Sequence, residues 1–305
     1  MRSYVLRRLL EMFVALIAMS LIVFALGRAL GDPVSLMLSD YATDADREAL
    51  TIELGLDRSL PEQYATFLWN ALHGDLGNSV TGAREPVMQM ILARLPASLQ
   101  LAAAALILSV LIGIPLGVFA ATARDTWIDT LVRTIALLGQ AIPVFWLGIM
   151  LIFVFSVQLR WLPTSGYGDV SNFVLPAITM ALFTIAAVAR LTRISMLDAL
   201  DSEFVKLARM KGLAESVVIW KHALSNSLVP VLTYMGAFFA TMVTGAVVIE
   251  TVFGWPGIGR LAYEAIIDRD YPLMQAVVLV MTALFMLANM VVDLGHAWID
   301  PRLRR

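Results

Sequence analysis

The sequence predicts an all-α membrane protein with six transmembrane helices. Of its 305 residues, 59% are hydrophobic and 15% are charged, and one soluble core of ordinary composition cannot bury that much apolar surface. Six apolar segments are each about 20 residues long, which is enough to cross a hydrocarbon core as a helix. The basic residues also divide unequally between the two sides of these segments, as they do in membrane proteins.

The predicted spans form one membrane domain with a long first loop. The first apolar run begins near Leu9, is followed by an acidic loop and lacks a small-residue cleavage pattern, so we interpret it as a retained span. The domain divides into an N-terminal span (1–30), an external loop (31–95) and a five-span core (96–298). The six spans are predicted near residues 9–30, 97–122, 131–155, 173–190, 228–250 and 273–295.

The distribution of Lys and Arg predicts the orientation of the chain. With six spans, 14 of the 22 basic residues fall on one side, and the same side holds both termini and the segment after the fourth span. Basic residues concentrate in the loops that stay in the cytoplasm. We therefore expect both termini and this segment to be cytoplasmic.

The first loop carries ten acids and four arginines, and it contains signals for helix starts. Thr43 with Asp46 predicts the start of one helix, and Ser59 with Glu62 predicts the start of a second. A connector rich in turn residues then leads to a short helix predicted over 86–95. Two interpretations stay open: the loop is a solvated acidic surface, or it is a platform for an external partner.

Glycine and proline residues interrupt the second and third spans. Gly113 and Gly117 lie in the second span, where glycines permit kinks and close helix approach. In the third span, Gln140 is a rare polar group and Pro143 follows it. Either these two residues line a translocation path, or they are the kink and the polar residue that many helical membrane proteins contain.

A basic segment, Leu200–Pro230, separates the fourth and fifth spans. Asp201 or Ser202 is a candidate N-cap for a short helix, and Gly212 stands where a residue with left-handed backbone ends one. We expect the loop 200–227 to hold two short helices that meet at this glycine. Such a bent, basic helix pair is suited to docking a partner on the cytoplasmic side.

The sequence lacks the residues of common catalytic and metal sites. It has no cysteine, no His-Glu-x-x-His motif and no phosphate-binding Gly-x-x-x-x-Gly-Lys motif, and its three histidines lie in separate stretches. Spans two to five are predicted to hold ionisable residues only at their ends, whereas ion-coupled carriers need them inside. We expect no catalytic or metal site, and energy from other subunits. An ion-coupled secondary transporter and a membrane-embedded enzyme are the alternatives.

Several strings of residues together indicate a known family. The basic segment contains Phe204-Val205-Lys206-Leu207-Ala208-Arg209-Met210-Lys211-Gly212-Leu213 and His222-Ala223-Leu224-Ser225-Asn226-Ser227-Leu228-Val229-Pro230. Further strings, in chain order, are Leu54-Gly55-Leu56-Asp57, Gly74-Asp75-Leu76-Gly77-Asn78-Ser79, Arg94-Leu95-Pro96, Pro143-Val144-Phe145-Trp146-Leu147-Gly148, Trp161-Leu162-Pro163, Glu250-Thr251-Val252-Phe253-Gly254-Trp255-Pro256-Gly257 and Asp300-Pro301-Arg302. The chain resembles the permeases of binding-protein-dependent ATP-binding-cassette (ABC) importers, in the peptide/nickel family. One departure is Lys206, where the general importer pattern has glutamate.

This resemblance implies a fold, a location and partners. The fold is that of a type I ABC importer permease in a bacterial inner membrane, and the long first loop is similar to that of the first, "B"-type permease of dipeptide and oligopeptide importers. The implied partners are a second homologous permease in a heterodimer, two ATPase subunits, an extracytoplasmic solute-binding protein and membrane lipid, with no nucleic acid. ATP and magnesium belong to the ATPases, and no cofactor is expected on this chain. The cargo stays open among peptides, nickel chelates, glutathione, sugars and opine-like compounds.

The resemblance also implies roles for individual residues. Residues 203–224 are expected to form coupling helices in a groove of one ATPase, where the basic side chains pair with acids or lipid headgroups, or face water. The expected coupling residues are Glu203, Phe204, Val205, Ala208, Arg209, Lys211, Gly212, Leu213 and Glu215, with Phe204, Val205, Ala208 and Leu213 as apolar contacts. Gln140 and Pro143 are expected to line the path, and Asp57, Asp75 and Trp255 to dock the binding protein.

Overall fold

The computed structural model describes residues 2–29, 34, 38, 43–53, 55–81 and 83–299. Helices form most of this part of the chain, and the one isolated β-bridge recorded within it joins Asn78 and Pro86. The string Asp300-Pro301-Arg302 and the basic tail lie outside the described residues.

The described helices follow one another with few long connections. Five are long and apolar enough to cross a membrane, and a bent pair that contains a 101° break provides a sixth crossing if it counts as one span. In chain order the helices are α1 (Arg2–Ala29), α2 (Asp44–Glu53), α3 (Leu60–Leu72), α4 (Val87–Thr122), α5 (Trp127–Ala141), α6 (Val144–Gln158), α7 (Val170–Leu200), α8 (Glu203–Met210), α9 (Glu215–Gly245), α10 (Val247–Val252), α11 (Ile258–Ile267) and α12 (Tyr271–Ile299). The crossings are α1, α4, the pair α5–α6, α7, α9 and α12.

α4 begins ten residues before the predicted second span and includes the short helix predicted over 86–95. Pro96 lies inside α4, where a proline removes one backbone hydrogen bond. Val87 and Ile91 are nevertheless fully buried against α11 and α12. Because tertiary burial stabilises a helix more than local propensity does, the helix continues through Pro96.

The fourth and fifth crossings are also longer than predicted. α7 continues to Leu200, ten residues beyond the predicted end of the span. α9 begins at Glu215, passes through a π-helical turn at Val218–Ala223 and ends at Gly245. The basic segment therefore holds one separate helix, α8, instead of the predicted pair over 203–224. The second predicted helix is the first part of α9, which continues from Glu215 through Pro230 to Gly245.

Close contact between α4 and α7 forms the centre of the bundle. A Cβ atom added at Gly117 would lie 2.5 Å from the carbonyl oxygen of Ala189, and one added at Gly113 would lie 2.8 Å from Val188. Neither distance leaves room for a side chain. The prediction that these glycines permit close helix approach is therefore confirmed.

Pro143 breaks the third crossing into α5 and α6. The residue before a proline disfavours helical backbone angles, and Ile142 is extended, with φ −77° and ψ 126°. The two halves of the crossing consequently meet at 101°. The kink predicted for this span is present.

The first loop folds against α1. The backbone N–H of Thr43 donates to Asp46, and that of Ser59 donates to Glu62, so both predicted helix starts are confirmed. The hydroxyl of Tyr64 on α3 lies 2.8 Å from that of Ser20 on α1. We call the end of the bundle that carries α2 and α3 the loop end, and the end that carries α8 the basic end.

Candidate functional site

α8 is a short helix with a defined start and end. Ser202 precedes it in an extended conformation, as predicted for an N-cap, although its side chain makes no capping bond. After the helix, the N–H of Gly212 donates to the carbonyl of Arg209 at 2.9 Å, and the N–H of Leu213 donates to that of Ala208 at 3.4 Å. This pair of bonds is a Schellman motif, which requires a left-handed residue. Gly212 has φ +75°, so the predicted turn is confirmed.

One face of α8 is buried against the transmembrane helices. Val205 is fully buried and Ala208 is 8% exposed. This burial corrects the prediction that the two side chains contact an ATPase: both instead fix α8 to the ends of α4, α7 and α9. Their neighbours in this cluster include Val118, Ala121, Met196, Ala199, Val218 and Ala223.

The opposite face of α8 is apolar and exposed. Phe204 is 42% exposed, Leu207 49% and Met210 77%, and Leu213 beyond the turn is 40% exposed. Leu207 and Met210 were not predicted as site residues. Helical spacing was the missed signal, because residues three apart share a face of a helix. A group of exposed apolar side chains is typical of a protein interface.

The charged residues around α8 form two ion pairs. Arg209 donates two hydrogen bonds to Glu215, at 3.2 and 2.7 Å, and Lys206 donates one to Glu203 at 2.8 Å. These side-chain hydrogen bonds raise the pKa of Arg209 and of Lys206. Lys211 is exposed and makes no ion pair within the described part of the chain. Because exposed pairs contribute little to stability, these charges are available to a partner.

The two residues predicted to line a path lie close to the break in the third crossing. Pro143 forms the break, and Gln140 is in the last turn of α5. Gln140 is half-buried and lines a cavity of about 350 Å³ between α5 and α7, together with Arg190 and Arg193. Arg190 lies at the predicted end of the fourth span and Arg193 lies beyond it, on the part of α7 that continues to Leu200. Path lining stays a prediction.

The structure separates the three residues predicted to dock a binding protein. Asp57 and Asp75 are exposed at the loop end. Trp255 is fully buried, its indole N–H donates to the carbonyl of Ala97 at 2.9 Å, and its ring lies 4.5 Å from that of Phe173. This burial corrects the prediction for Trp255, which holds the segment after α10 against α4.

Glu250 is a fully buried carboxylate that was named only within a family string and not predicted as a site residue. The hydroxyl of Ser98 donates to its Oε1 at 2.6 Å, and the backbone N–H of Arg260 donates to its Oε2 at 2.8 Å. The carboxylate thus lies at the N-terminus of α11, where backbone N–H groups favour an anion. Burial raises the pKa of Glu250, and the two hydrogen bonds act in the opposite direction. The missed signal was an acid between apolar residues.

Asp270 is a second fully buried carboxylate, at the start of α12. The hydroxyls of Ser79 and Thr81 and the backbone N–H of Val80 donate to its Oδ2, and the N–H of Leu273 donates to its Oδ1. Asp270 therefore ties the end of the first loop to the last crossing. An Asp two residues before a proline is a helix-start signal that indicated this role.

These features define a multi-span helical membrane protein that carries, at one end, a short helix with an exposed apolar face. In the described part of the chain, no group of three His, Cys, Asp or Glu residues is placed to hold a metal ion. The chain belongs to the family of binding-protein-dependent transport system inner membrane components. That family matches residues 113–305, and the family of N-terminal regions of the same components matches residues 1–102. The chain is a permease subunit of an ABC importer, and the ATPase activity of such systems lies on separate subunits.

Relatives match this chain over its whole length. A putative peptide transport system permease protein of Brucella abortus is 40% identical over 313 residues, covering 100% of this chain and 99% of the relative. The glutathione transport system permease protein GsiC of Escherichia coli is 39% identical over 305 residues, with the same coverage. These matches give no support to an ion-coupled carrier or a membrane-embedded enzyme.

Solved structures confirm the predicted fold. A chain of the MetNI methionine ABC transporter, in inward facing conformations, matches with a TM-score of 0.59 and 18% identity, covering 70% of this chain and 97% of its own length. A chain of an amino acid ABC transporter with histidines matches with a TM-score of 0.51 and 16% identity, covering 70% and 94%. At these identities the similarity concerns the fold alone.

Proposed function

We propose that this chain is one of two permease subunits of an importer for short peptides. Support comes from full-length similarity to permeases named for peptide transport and for glutathione transport. Glutathione is itself a tripeptide, so both names refer to peptide cargo. The proposed cargo class is therefore di- and oligopeptides or closely related compounds.

The proposed importer contains this chain, a second homologous permease in a heterodimer, two ATPase subunits and an external solute-binding protein. The family description supports the binding protein, and the ABC transporters with a similar permease fold support the ATPases. ATP and magnesium are bound by the ATPases. The basic end and both termini face the cytoplasm of the inner membrane in this proposal, because most of the basic residues fall on that side.

The observation that carries the proposal is that α8 has two different apolar faces. The outer face, with Phe204, Leu207 and Met210, is exposed in this chain and is the surface proposed to enter a groove of one ATPase. The inner face, with Val205 and Ala208, is already packed on three transmembrane helices. A helix fixed on one face and free on the other is suited to transmit a displacement from a partner to the spans.

Movement of the ATPases drives the proposed transport step. When two ATPases close on ATP, each displaces the α8 helix that it holds, and the ends of α4, α7 and α9 follow because Val205 and Ala208 are packed against them. Packed helices move as rigid bodies rather than deforming continuously. The chain then alternates between a path open to the outside and a path open to the cytoplasm. Arg209, Lys211 and Glu215 surround this contact and select the partner by charge.

The loop end receives the binding protein in this proposal. The segment from α2 to α3 presents exposed acids there, including Asp57 in the turn between the two helices, and Asp75 follows in the connector. Trp255 contributes by supporting the adjacent segment from inside. The docking surface is thus the outer side of the first loop.

A matched pair of substitutions tests the coupling surface. Leu207→Asp puts a charge on the exposed face of α8, and Ser216→Asp puts the same charge on an exposed residue near the start of α9. The complete importer is purified through a tag on this chain, and co-purified ATPase and peptide uptake in liposomes are measured. We expect Leu207→Asp to lower ATPase binding at least about tenfold, because an unpaired charge is desolvated in the interface.

The control and a stability measurement separate docking from folding. Ser216→Asp is expected to keep both ATPase binding and uptake. Leu207→Asp is expected to leave the melting temperature of the isolated permease unchanged, whereas Val205→Ala is expected to lower it, since Val205 is fully buried. Normal ATPase binding in Leu207→Asp would contradict the proposed coupling surface.

A further inference from the structure

The cavity between α5 and α7 combines cations with an apolar wall. Its volume is about 350 Å³, and its polar lining residues are Arg133, Gln140, Arg190 and Arg193. The remaining lining is aliphatic, from residues such as Leu137. Apolar pockets with a few convergent polar groups are typical ligand sites, and this one suits an anionic group on an otherwise apolar molecule.

Arg190 is the cation in this cavity that is free to bind a ligand. Arg193 and Arg133 lie 2.6 and 3.4 Å from the buried carboxylate of Asp129. Arg190 is exposed and makes no hydrogen bond or ion pair with any residue that the structure describes, and the same holds for the side-chain amide of Gln140. One carboxylate among three arginines leaves the cavity with a net positive charge.

Arg190 is the first charged residue of α7 after a long apolar stretch. The helix continues for ten residues to Leu200, so Arg190 lies about 15 Å inside the end of the helix. The preceding residues 173–189 contain no charged side chain. A charged residue that follows such a stretch faces protein or water rather than lipid, and Arg190 lines the cavity between α5 and α7.

The same face of α7 carries a second cavity, which is apolar. Met180 and Phe183 line it, and its volume is about 310 Å³. Residues 183 and 190 are seven apart, so they share one face of the helix at a separation of about 10 Å along its axis. Phe183 stacks on Phe238 with 5.7 Å between ring centroids, and Phe238 stacks on Tyr234 at 5.5 Å. A row of stacked aromatic rings therefore lies along this face of α7, from the apolar cavity towards the cavity that contains Arg190.

We propose that Arg190, assisted by Gln140, binds the carboxyl-terminal carboxylate of a short peptide in transit, while an apolar side chain of the peptide occupies the cavity at Phe183. This inference rests on the proposed function and narrows its cargo to peptides with a free carboxyl terminus. An extended chain advances about 3.3–3.6 Å per residue, so the separation of about 10 Å spans roughly three residues. A guanidinium suits this role because it binds the two oxygens of a carboxylate in parallel.

A comparison of two peptides in four permease forms tests this site. The complete importer, with its second permease, ATPases and binding protein, is reconstituted in liposomes. Uptake of a tripeptide with a free carboxyl terminus is compared with uptake of its carboxamide, both supplied above their Kd for the binding protein. The permease forms are wild type, Arg190→Gln, Arg190→Lys and the control Arg160→Gln, which changes an exposed arginine outside both cavities. Because the same binding protein serves all four permease forms, comparing the ratio of the two uptake rates between these forms cancels its preference.

We expect Arg190→Gln to lower the ratio of free-acid to carboxamide uptake by about tenfold, the value of one charge-assisted hydrogen bond. Arg190→Lys keeps the cation and is expected to keep most of the ratio, and Arg160→Gln is expected to leave it unchanged. An equal fall in the uptake of both peptides, or an unchanged ratio in Arg190→Gln, would overturn the proposal.

Two further outcomes have distinct meanings. Loss of the co-purified second permease in Arg190→Gln would overturn the carboxylate site, because Arg190 would then pair with an acid of that subunit. If the wild-type importer takes up neither peptide while its ATPases remain active, the proposed peptide import fails. If the wild type takes up both and the ratio does not respond to Arg190, only the carboxylate site fails.

Discussion

Arg193 and Asp129 join α7 to α5 through a two-pronged ion pair, with Nε–Oδ1 and Nη2–Oδ2 distances of 2.6 and 2.7 Å. The side chain of Asp129 is fully buried, and that of Arg193 is 15% exposed. The backbone N–H of Asp125 also donates to the carboxylate. Two parallel hydrogen bonds of this kind fix the relative orientation of the two side chains and also pair their charges. Because Met196, less than one turn away, packs in the cluster beneath α8, the pair links the broken crossing to the proposed coupling helix.

The first prediction concerns the removal of this charge. Asp129→Asn leaves Arg193 largely buried without its counter-ion, and we expect the free energy of unfolding to fall by about 3 kcal/mol. The melting temperature of the purified permease reports the change. Asp198→Asn is the matched control, since Asp198 is exposed on the same end of α7 and makes no ion pair among the described residues. Equal melting temperatures for the two variants would contradict a stabilising role for the pair.

The second prediction separates backbone strain from partner contact at Gly212. A Cβ atom added there meets no atom within 4 Å, so Gly212→Ala costs only the left-handed backbone penalty of about 1–2 kcal/mol. Gly212→Glu has the same penalty and adds a charge where the ATPase is proposed to bind. We expect Gly212→Ala to retain part of the peptide uptake of the importer and Gly212→Glu to abolish it, with both proteins inserted in the membrane. Equal uptake in the two variants would contradict ATPase contact at this turn.

Local signals in the sequence predicted those parts of the fold whose cause is local. The hydrogen bond between Thr43 and Asp46, the break at Pro143 and the left-handed turn at Gly212 each depend on residues within one turn of chain. Helix ends that depend on distant burial were not predictable in this way. Val87 remains helical because α11 and α12 cover it, and those helices lie far away in the sequence.

The same distinction applies to the candidate site. The family strings located α8, but they did not tell which of its faces was already occupied, so Val205 was predicted as a contact and Leu207 was omitted. The buried carboxylates depend on partners even further away: Ser98 is 152 residues from Glu250, and Ser79 is 191 residues from Asp270. No spacing rule connects residues at such distances. The three-dimensional packing alone brings them together.

The third prediction concerns the hydrogen bonds of Glu250. Both of its oxygens accept hydrogen bonds. In Glu250→Gln, the side-chain NH₂ group that replaces one oxygen therefore faces a donor instead of an acceptor. We expect the free energy of unfolding to fall by about 1–3 kcal/mol, measured by thermal unfolding of the purified permease. Glu85→Gln, at an exposed position, is expected to have no effect. Gly257→Ala provides a second test, because its Cβ would lie 2.1 Å from Oε1 of Glu250 and must displace the carboxylate.

The fourth prediction concerns Asp270 and the attachment of the first loop. Asp270→Asn replaces one carboxylate oxygen with a donor, and the donors of Ser79, Val80 and Thr81 then compete for fewer acceptor sites. One unmatched buried donor costs about 1–3 kcal/mol, so amide hydrogen exchange at residues 77–81 is expected to become at least about fivefold faster. Asp268→Asn changes an exposed aspartate two residues away and is expected to leave exchange unaltered.

Because the connector carries Asp75 and follows α3, the looser loop of Asp270→Asn is also expected to reduce stimulation of the ATPases by the loaded binding protein. Faster exchange with full stimulation would separate the two effects and place the binding-protein contact elsewhere, whereas unchanged exchange would contradict the anchoring role of Asp270.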